Sequence, residues 1–352
     1  MRLRRRELLA GGAALGALAG CAGWPSAAAT PLRRIGIASC ADQTRPQPIW
    51  DTVLADRPDF FIFGGDNVYA SEQPWSRERQ EQAYAAQAAI AGFQRLRQAV
   101  PHLAIWDDHD YGLNDGGAEF AYKHESKAAF LRFWGIPAGD PRRSRDGLQH
   151  AQVIGPPGQR VQVILLDTRW FRSPLKRTDQ RDAPGKERFV PDADPAKTLL
   201  GDAQWRWLEA QLREPADVRL IVSGIQVVVE GHGWERWGNF PRERERLYRL
   251  IAQTSAQGVV FLSGDRHIGG LYREAGAAPY PLYEMTSSGV THPWANAAEA
   301  GPNRLGELFT ELHYGMVEID WDARALRLAI KDIRGSAQRS RRIDFNELKA
   351  RT

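Results

Sequence analysis

The stretch GVVFLSGDRH, residues 258–267, is where the fold of this chain is decided. Val259–Leu262 is an apolar run with the length and β-branched content of a fully buried strand. Ser263 and Gly264 end it, and Asp265 and His267 follow with one residue between them. In open α/β sheets, ligands bind at the carboxyl ends of the strands. Asp and His also cap helices and fill turns, so the stretch points to a site only if other strands deliver similar groups to the same edge.

Four further runs do so. RIGIAS (34–39) leads to Cys40 and Asp42, and DFFIF (59–63) leads to Gly64-Gly65-Asp66-Asn67-Val68-Tyr69. LAIW (103–106) ends in Asp107-Asp108-His109-Asp110, and VQVILL (161–166) in Asp167-Thr168-Arg169. A sixth run, RLIV (219–222), passes into Ser223-Gly224-Ile225-Gln226. Between them lie helical patterns at 48–55, at 71–100 with a break expected near Gly92, and at 119–134. Two more are expected at 205–212, with Asp202 as N-cap, and from Pro241 to about residue 253. Residues 176–197 read as an exposed charged loop, and 315–321 with 325–333 as a hairpin. Strands alternating with helices make this an α/β chain. One strand ending in Cys, Asp or His is expected by chance; five point to a polynuclear metal site. Carboxylates, a thiolate and imidazoles gathered on one edge repel one another unless cations balance them.

The chain has 352 residues, 43% hydrophobic and 26% charged, which is ordinary for a globular protein. Twelve tryptophans imply large aromatic packing or a stacking surface. Residues 1–30 read as an export leader. Arg2, Arg4, Arg5 and Arg6 form a basic head, followed by the apolar run Leu8–Gly20, too short to span a bilayer comfortably. Arg5-Arg6 fits a twin-arginine signal, and Leu18-Ala19-Gly20-Cys21 fits a lipobox that would place a lipid anchor on Cys21. An ordinary signal peptide cut near Ala27–Ala29 is the alternative. Four arginines against Glu7 give the leader +3, so the chain's +4 falls to +1 for the remainder. No nucleic-acid partner is expected at that charge. With Cys21 lipidated, Cys40 stands alone and no intramolecular disulfide can form. Residues 31–352 show no repeat or linker and are expected to form a single domain.

Six stretches give the chain a resemblance to the alkaline phosphatase D (PhoD-like) family of metallophosphoesterases: IASC (37–40), GGDNVYA (64–70), WDDHDYGLND (106–115), LDTRWFR (166–172), LGDAQWRWLEAQL (200–212) and SGDRH (263–267). The resemblance implies a sandwich of two mixed β-sheets flanked by helices. It also implies metal-dependent hydrolysis of phosphate esters, with iron and calcium among the family's metals. Two departures stand out. Members often carry an extra β-domain ahead of the catalytic one, for which Cys40 lies too near the leader. Asp110 stands where Glu more often follows the DDH triplet.

Carried onto this chain, the resemblance makes Asp66 the carboxylate shared by two metals, which would clamp both oxygens of an in-line displacement. Tyr69 resembles the phenolate ligand of purple-acid-type sites, against packing beneath the loop. Cys40 as a thiolate ligand accounts for the lone thiol, against a buried hydrophobe. Asp108, Asp265 and His267 complete the expected metal ligands, with Asp265 replacing a more usual His. His109 faces the scissile phosphate without binding metal, and Arg169 could fork onto two phosphate oxygens or pair with Asp167. Asp42, Asn67, Asp107, Asn114 and Asp167 are further candidates, each with a turn or capping role as the alternative. His232, His292, Trp234, Trp237 and Trp294 lie in loops expected near the mouth, the tryptophans as lid packing. Thiolate and phenolate favour iron, and carboxylates favour calcium or manganese; zinc also fits, in a centre of two or three ions.

The function expected is therefore an exported phosphoesterase, periplasmic or in the cell envelope, in which a metal-bound hydroxide attacks phosphorus and His109 assists departure of the alcohol. The substrate would be a small-molecule or lipid phosphate ester, with membrane contact through Cys21. A phosphodiesterase or phospholipase-like hydrolase is the alternative within the class. A non-catalytic phosphate- or metal-binding lipoprotein is the alternative outside it.

Overall fold

In the computed structural model, which describes residues 30–299 and 301–350, strands and helices alternate through most of the chain. The order is β1 (Arg34–Ala38), α1 (Ile49–Ala55), β2 (Phe60–Gly64), α2 (Arg77–Ala89), α3 (Ala91–Ala99), β3 (His102–Ile105), α4 (Asp108–Tyr111) and α5 (Lys123–Phe133). Then come β4 (His150–Ile154), β5 (Val161–Leu165), α6 (Gly201–Arg213), β6 (Val218–Ser223), α7 (Pro241–Gln253) and β7 (Val259–Ser263). The chain closes with β8 (Gly269–Glu274), β9 (Leu282–Ser287), β10 (His313–Asp320), β11 (Ala325–Asp332) and β12 (Ala337–Asp344).

The strands form two six-stranded sheets, ordered β12-β11-β10-β1-β2-β3 and β4-β5-β6-β7-β9-β8. Each is mixed. β1, β2 and β3 run parallel, with β10 to β12 antiparallel beside them. β5, β6, β7 and β9 run parallel, with β4 and β8 antiparallel at the edges. Apart from β9, the parallel strands are the runs read as strands from the sequence, and β5, β6 and β7 are buried along their whole length. One contiguous apolar core includes Ile37 and Met316 of the first sheet and Leu262 and Met285 of the second. At the outer edge, β12 is mostly exposed and carries Arg339, Arg341 and Arg342, charges that discourage a further strand from pairing.

Two local expectations need correction. The break in the 71–100 region falls at Ile90, which is extended (ψ 112°), and Gly92 lies inside α3 against Trp50. α6 begins at Gly201, so Asp202 sits in its first turn and is not the N-cap. Its entry is tied down by other groups: Thr198 Oγ1 accepts from Gly201 N–H (2.8 Å), and the Glu243 carboxylate of α7 accepts from Leu199 N–H (2.7 Å) and Trp205 Nε1–H (2.9 Å). The leader, residues 1–30, lies outside the described residues except for Thr30. No helix among the described residues is long and apolar enough to cross a membrane.

This topology brings the carboxyl ends of β1, β2 and β3 opposite those of β5, β6 and β7. At that edge the backbone turns sharply at unusual residues. Cys40 (φ 64°), Asp66 (φ 50°), Asp265 (φ 66°) and His267 (φ 55°) all adopt the left-handed conformation. Each such residue costs about 1 kcal/mol relative to ordinary backbone, and strain of this kind concentrates at functional sites.

Candidate metal centre

Potential ligands from both sheets converge in three overlapping groups: Cys40, Asp66 and His267; Asp66, Asp108 and His109; and Asp107, Asp108 and Asp265. Within each, one ligand atom per residue lies within 4.8 Å of the others. Asp66 belongs to two groups and Asp108 to two, so the set can hold adjacent cations through shared carboxylates. Cys40 Sγ is 3.5 Å from Asp66 Oδ2, and Tyr69 OH is 3.4 Å from that same oxygen and 3.5 Å from His267 Nε2. The other oxygen of Asp66 accepts from His109 N–H at 3.1 Å. Ser288 Oγ accepts from His267 N–H (2.7 Å) and lies 2.9 Å from Cys40 Sγ, linking the first β-strand's end to the seventh's. His267 Nδ1 donates to His292 O (3.0 Å), which leaves Nε2 as the ligating nitrogen.

Glycines make room for this crowding. Gly65 has φ 109°, and a Cβ there would fall 2.6 Å from Asp107 Cβ; one on Gly224 would collide with the Asp107 carboxylate. Cations fit the arrangement because buried oxygens lack partners: Asp107 Oδ2 and Asp108 Oδ1 have no hydrogen-bond donor among the described residues. The charges agree. Burial, with repulsion from Asp108 and Cys40, pushes Asp66 well above the usual carboxylate range. Burial also pushes Asp265 well up, with Asp107 and Asp108 adding to it against the pull of Arg266. Asp107 rises to about 8 through burial despite Arg169, and burial lifts the Cys40 thiol to about 11. Asp108 is the exception, since His109, Arg169 and the Asp115 amide outweigh its burial and hold it near 2. Ligand groups that would otherwise keep their protons release them to a metal.

Behind the acidic cluster runs a buried ion network. Arg169 donates Nε–H to Asp107 Oδ1 (2.6 Å) and Nη1–H to Glu235 Oε2 (2.7 Å), while Arg172 Nε lies 3.0 Å from Glu235 Oε1. All four side chains are almost wholly excluded from water. In front of the cluster opens a cavity of about 520 Å³, whose lining includes Asp108, His109, Asp265 and His267.

Residues 19–300 match the family described as PhoD-like phosphatase. The chain belongs to that family. Among curated proteins it is similar to alkaline phosphatase D of Bacillus subtilis (strain 168), 24% identical over 201 residues, covering 50% of this chain and 33% of that one. The match thus spans about a third of that relative's length. The fold is similar to the solved structure of PhoD (TM-score 0.69, 16% identity, 92% of this chain and 72% of that one). It is also similar to purple acid phosphatase PPD1 from yellow lupin (Lupinus luteus) seeds (TM-score 0.60, 13% identity, 92% and 56%).

Within this PhoD-like fold, Cys40, Asp66, Tyr69, Asp107, Asp108, His109, Asp265 and His267 meet at one edge, whereas other candidates from the sequence are engaged elsewhere. Asp42 accepts from Thr44 N–H and Oγ1–H and pairs with Arg45. The Asn67 amide donates to Ile105 O (2.8 Å) and Asp110 Oδ2 (2.6 Å), and Asp110 in turn caps α4 by accepting from Asp107 N–H. Asp167 holds its own loop, accepting from Leu148, Arg169 and Trp170 N–H. Asn114 lines the cavity and donates to Asp115. Arg169 pairs with Asp107 and Glu235 rather than Asp167, and it does not line the cavity. Of the mouth residues, His292, Trp234 and Trp294 line the cavity, while Trp237 is buried against Trp205 and His232 is buried against Gln226. Sequence reasoning missed Glu235, Ser288 and Ser71. Glu235 carried one signal, a lone acid between two tryptophans in a loop.

Proposed function

We propose that this PhoD-like protein is an exported, metal-dependent phosphoesterase. The observation that carries the reading is Asp66, a buried carboxylate common to two ligand groups, one of which includes the cavity-lining Asp108 and His109. Bound cations would supply acidified water as the hydroxide nucleophile and positive charge against the phosphoryl oxygens. Cys40, Tyr69 and His267 offer a set suited to iron, whereas Asp107, Asp108 and Asp265 offer hard oxygens suited to calcium or manganese, with zinc also compatible.

The chain's own residues account for the rest. Asp66 and Asp108, each common to two ligand groups, are the carboxylates that would hold bound cations. His109 is held on three sides: its N–H on Asp66, its ring against Tyr69 (centroids 4.1 Å apart) and its Nδ1 at 2.7 Å from Ser71 Oγ. That leaves Nε2 to hold a proton for the departing alkoxide. Arg169 and Glu235 keep Asp107 in place from behind.

Asp66→Asn tests the reading. Asn tolerates left-handed backbone, so the fold is retained while the shared anionic ligand is lost. Hydrolysis of an aryl phosphomonoester and of the matching diester should fall by at least about 100-fold. Unchanged turnover with native circular dichroism overturns the assignment. The same paired assay separates monoesterase from diesterase or phospholipase-like action. Export through the twin-arginine leader, a Cys21 lipid anchor and a lipid phosphate ester as substrate complete the proposal. They rest on the sequence of residues 1–30.

A further inference from the structure

Besides members of the acidic cluster and the histidines, the cavity is lined by Arg188, Trp234, Arg266, Pro293 and Trp294. A volume of about 520 Å³ lies in the range of pockets that take a whole organic molecule, more than a phosphoryl group needs. The wall is built with some rigidity. The guanidinium carbons of Arg188 and Arg266 each lie 4.8 Å from the centre of the Trp234 ring. Arg266 is fixed in turn by an ion pair with Glu299, and Arg188 by one with Asp182. Trp294 meets Trp234 edge-on, with centroids 5.7 Å apart and planes at 85°.

Trp294 differs from its neighbour in what it leaves open. It is 41% exposed, one of three large apolar side chains left exposed among the described residues. Its backbone is nevertheless anchored, donating N–H to the carbonyl of His267 at 2.7 Å. An indole is thus held at the cavity, one hydrogen bond from a candidate metal ligand, with surface to spare. Lid packing would have buried it.

We infer that Trp294, backed by Trp234, is a stacking subsite for a planar aromatic group on the substrate, so that aromatic phosphate esters are preferred to small alkyl ones. The inference rests on the phosphoesterase reading for the words "substrate" and "ester", and on the wall alone for the aromatic preference. Stacking of a flat ring on an indole tolerates many ring chemistries, and removing such a platform weakens binding by about ten-fold or more.

Phenylphosphonate and methylphosphonate share the anionic head and differ in the group that would meet the wall. Neither has an ester bond to hydrolyse, so binding to the metal-loaded protein can be read by calorimetry without turnover. Phenylphosphonate is expected to bind about ten-fold more tightly, with the preference lost in Trp294→Ala and partly kept in Trp294→Phe. Equal affinities, no binding of either compound, or a preference unchanged in Trp294→Ala overturns the inference. Parallel assays on phenyl and methyl phosphate esters separate the two claims. Hydrolysis without the binding preference sinks the subsite and leaves the phosphoesterase standing; the preference without any hydrolysis does the reverse.

Discussion

Arg169 shows how much the centre depends on single residues that never face the cavity. Its guanidinium is buried between Asp107 and Glu235, and burial alone would disfavour all three charges. Replacing it with Met strands two carboxylates. Arg169→Met should therefore destabilise the fold by about 3–5 kcal/mol, measured by urea denaturation, and should weaken metal retention as well. A loss under about 1 kcal/mol would mean that the network is already relaxed by protonation. Cys40→Ser makes the opposite kind of change. It keeps a small group beside Ser288 and removes only the soft ligand, so elemental analysis should show one metal lost or exchanged, while in the metal-free state stability stays near that of the metal-free parent. The residues at strand ends were legible because each lies within a few positions of an apolar run. Ser71, Glu235 and Ser288 were not. Ser71 and Glu235 lie in loops, and Ser288 follows β9, whose Glu284 and Thr286 interrupt its apolar run; a hydroxyl or a lone acid there carries no pattern of its own.

At the scale of elements, every parallel strand but β9 was readable because burial on both faces writes a continuous apolar run. β4, β8, β9 and β12 were overlooked for identifiable reasons. β8 opens on Gly269-Gly270, β9 hides Glu284 and Thr286 in its interior, and β4 and β12 are half-exposed edges. The first residue of β10 lies two positions ahead of the run read as a hairpin arm. His313 donates Nδ1–H to Glu311 O (2.7 Å) and accepts at Nε2 from Ser288 N–H (3.2 Å), a fixed neutral tautomer beneath the ligand loop. Burial lowers it to about 4, against about 6.5 in an unfolded chain. Between those values this site binds more protons in the unfolded state, so the contribution of His313 to stability should fall as pH drops from about 6.5 to about 4 and level off below. His313→Gln should flatten that slope in urea titrations run across the interval, whatever it does to stability at neutral pH.

For the molecule as a whole, two sheets that share one core present their strand ends to each other, and the charge gathered there ties folding to metal binding. Cations that bind only the native state stabilise it by about 2.7 kcal/mol at a hundred times their dissociation constant. Chelation should therefore lower the melting temperature by several degrees and restoration of the metal should reverse it, as followed by calorimetry. A melting temperature indifferent to chelator would separate the acidic cluster from any metal. The architecture was legible in outline from the alternation of runs, and the family's motifs supplied the pairing of two sheets that periodicity could not. Cys40 adds a practical consequence. It is the one thiol among the described residues, and it is fully enclosed. A thiol-reactive dye can meet it only when the strand ends part, so labelling kinetics at that position would clock the breathing of the centre, and ligation by a metal would slow the clock.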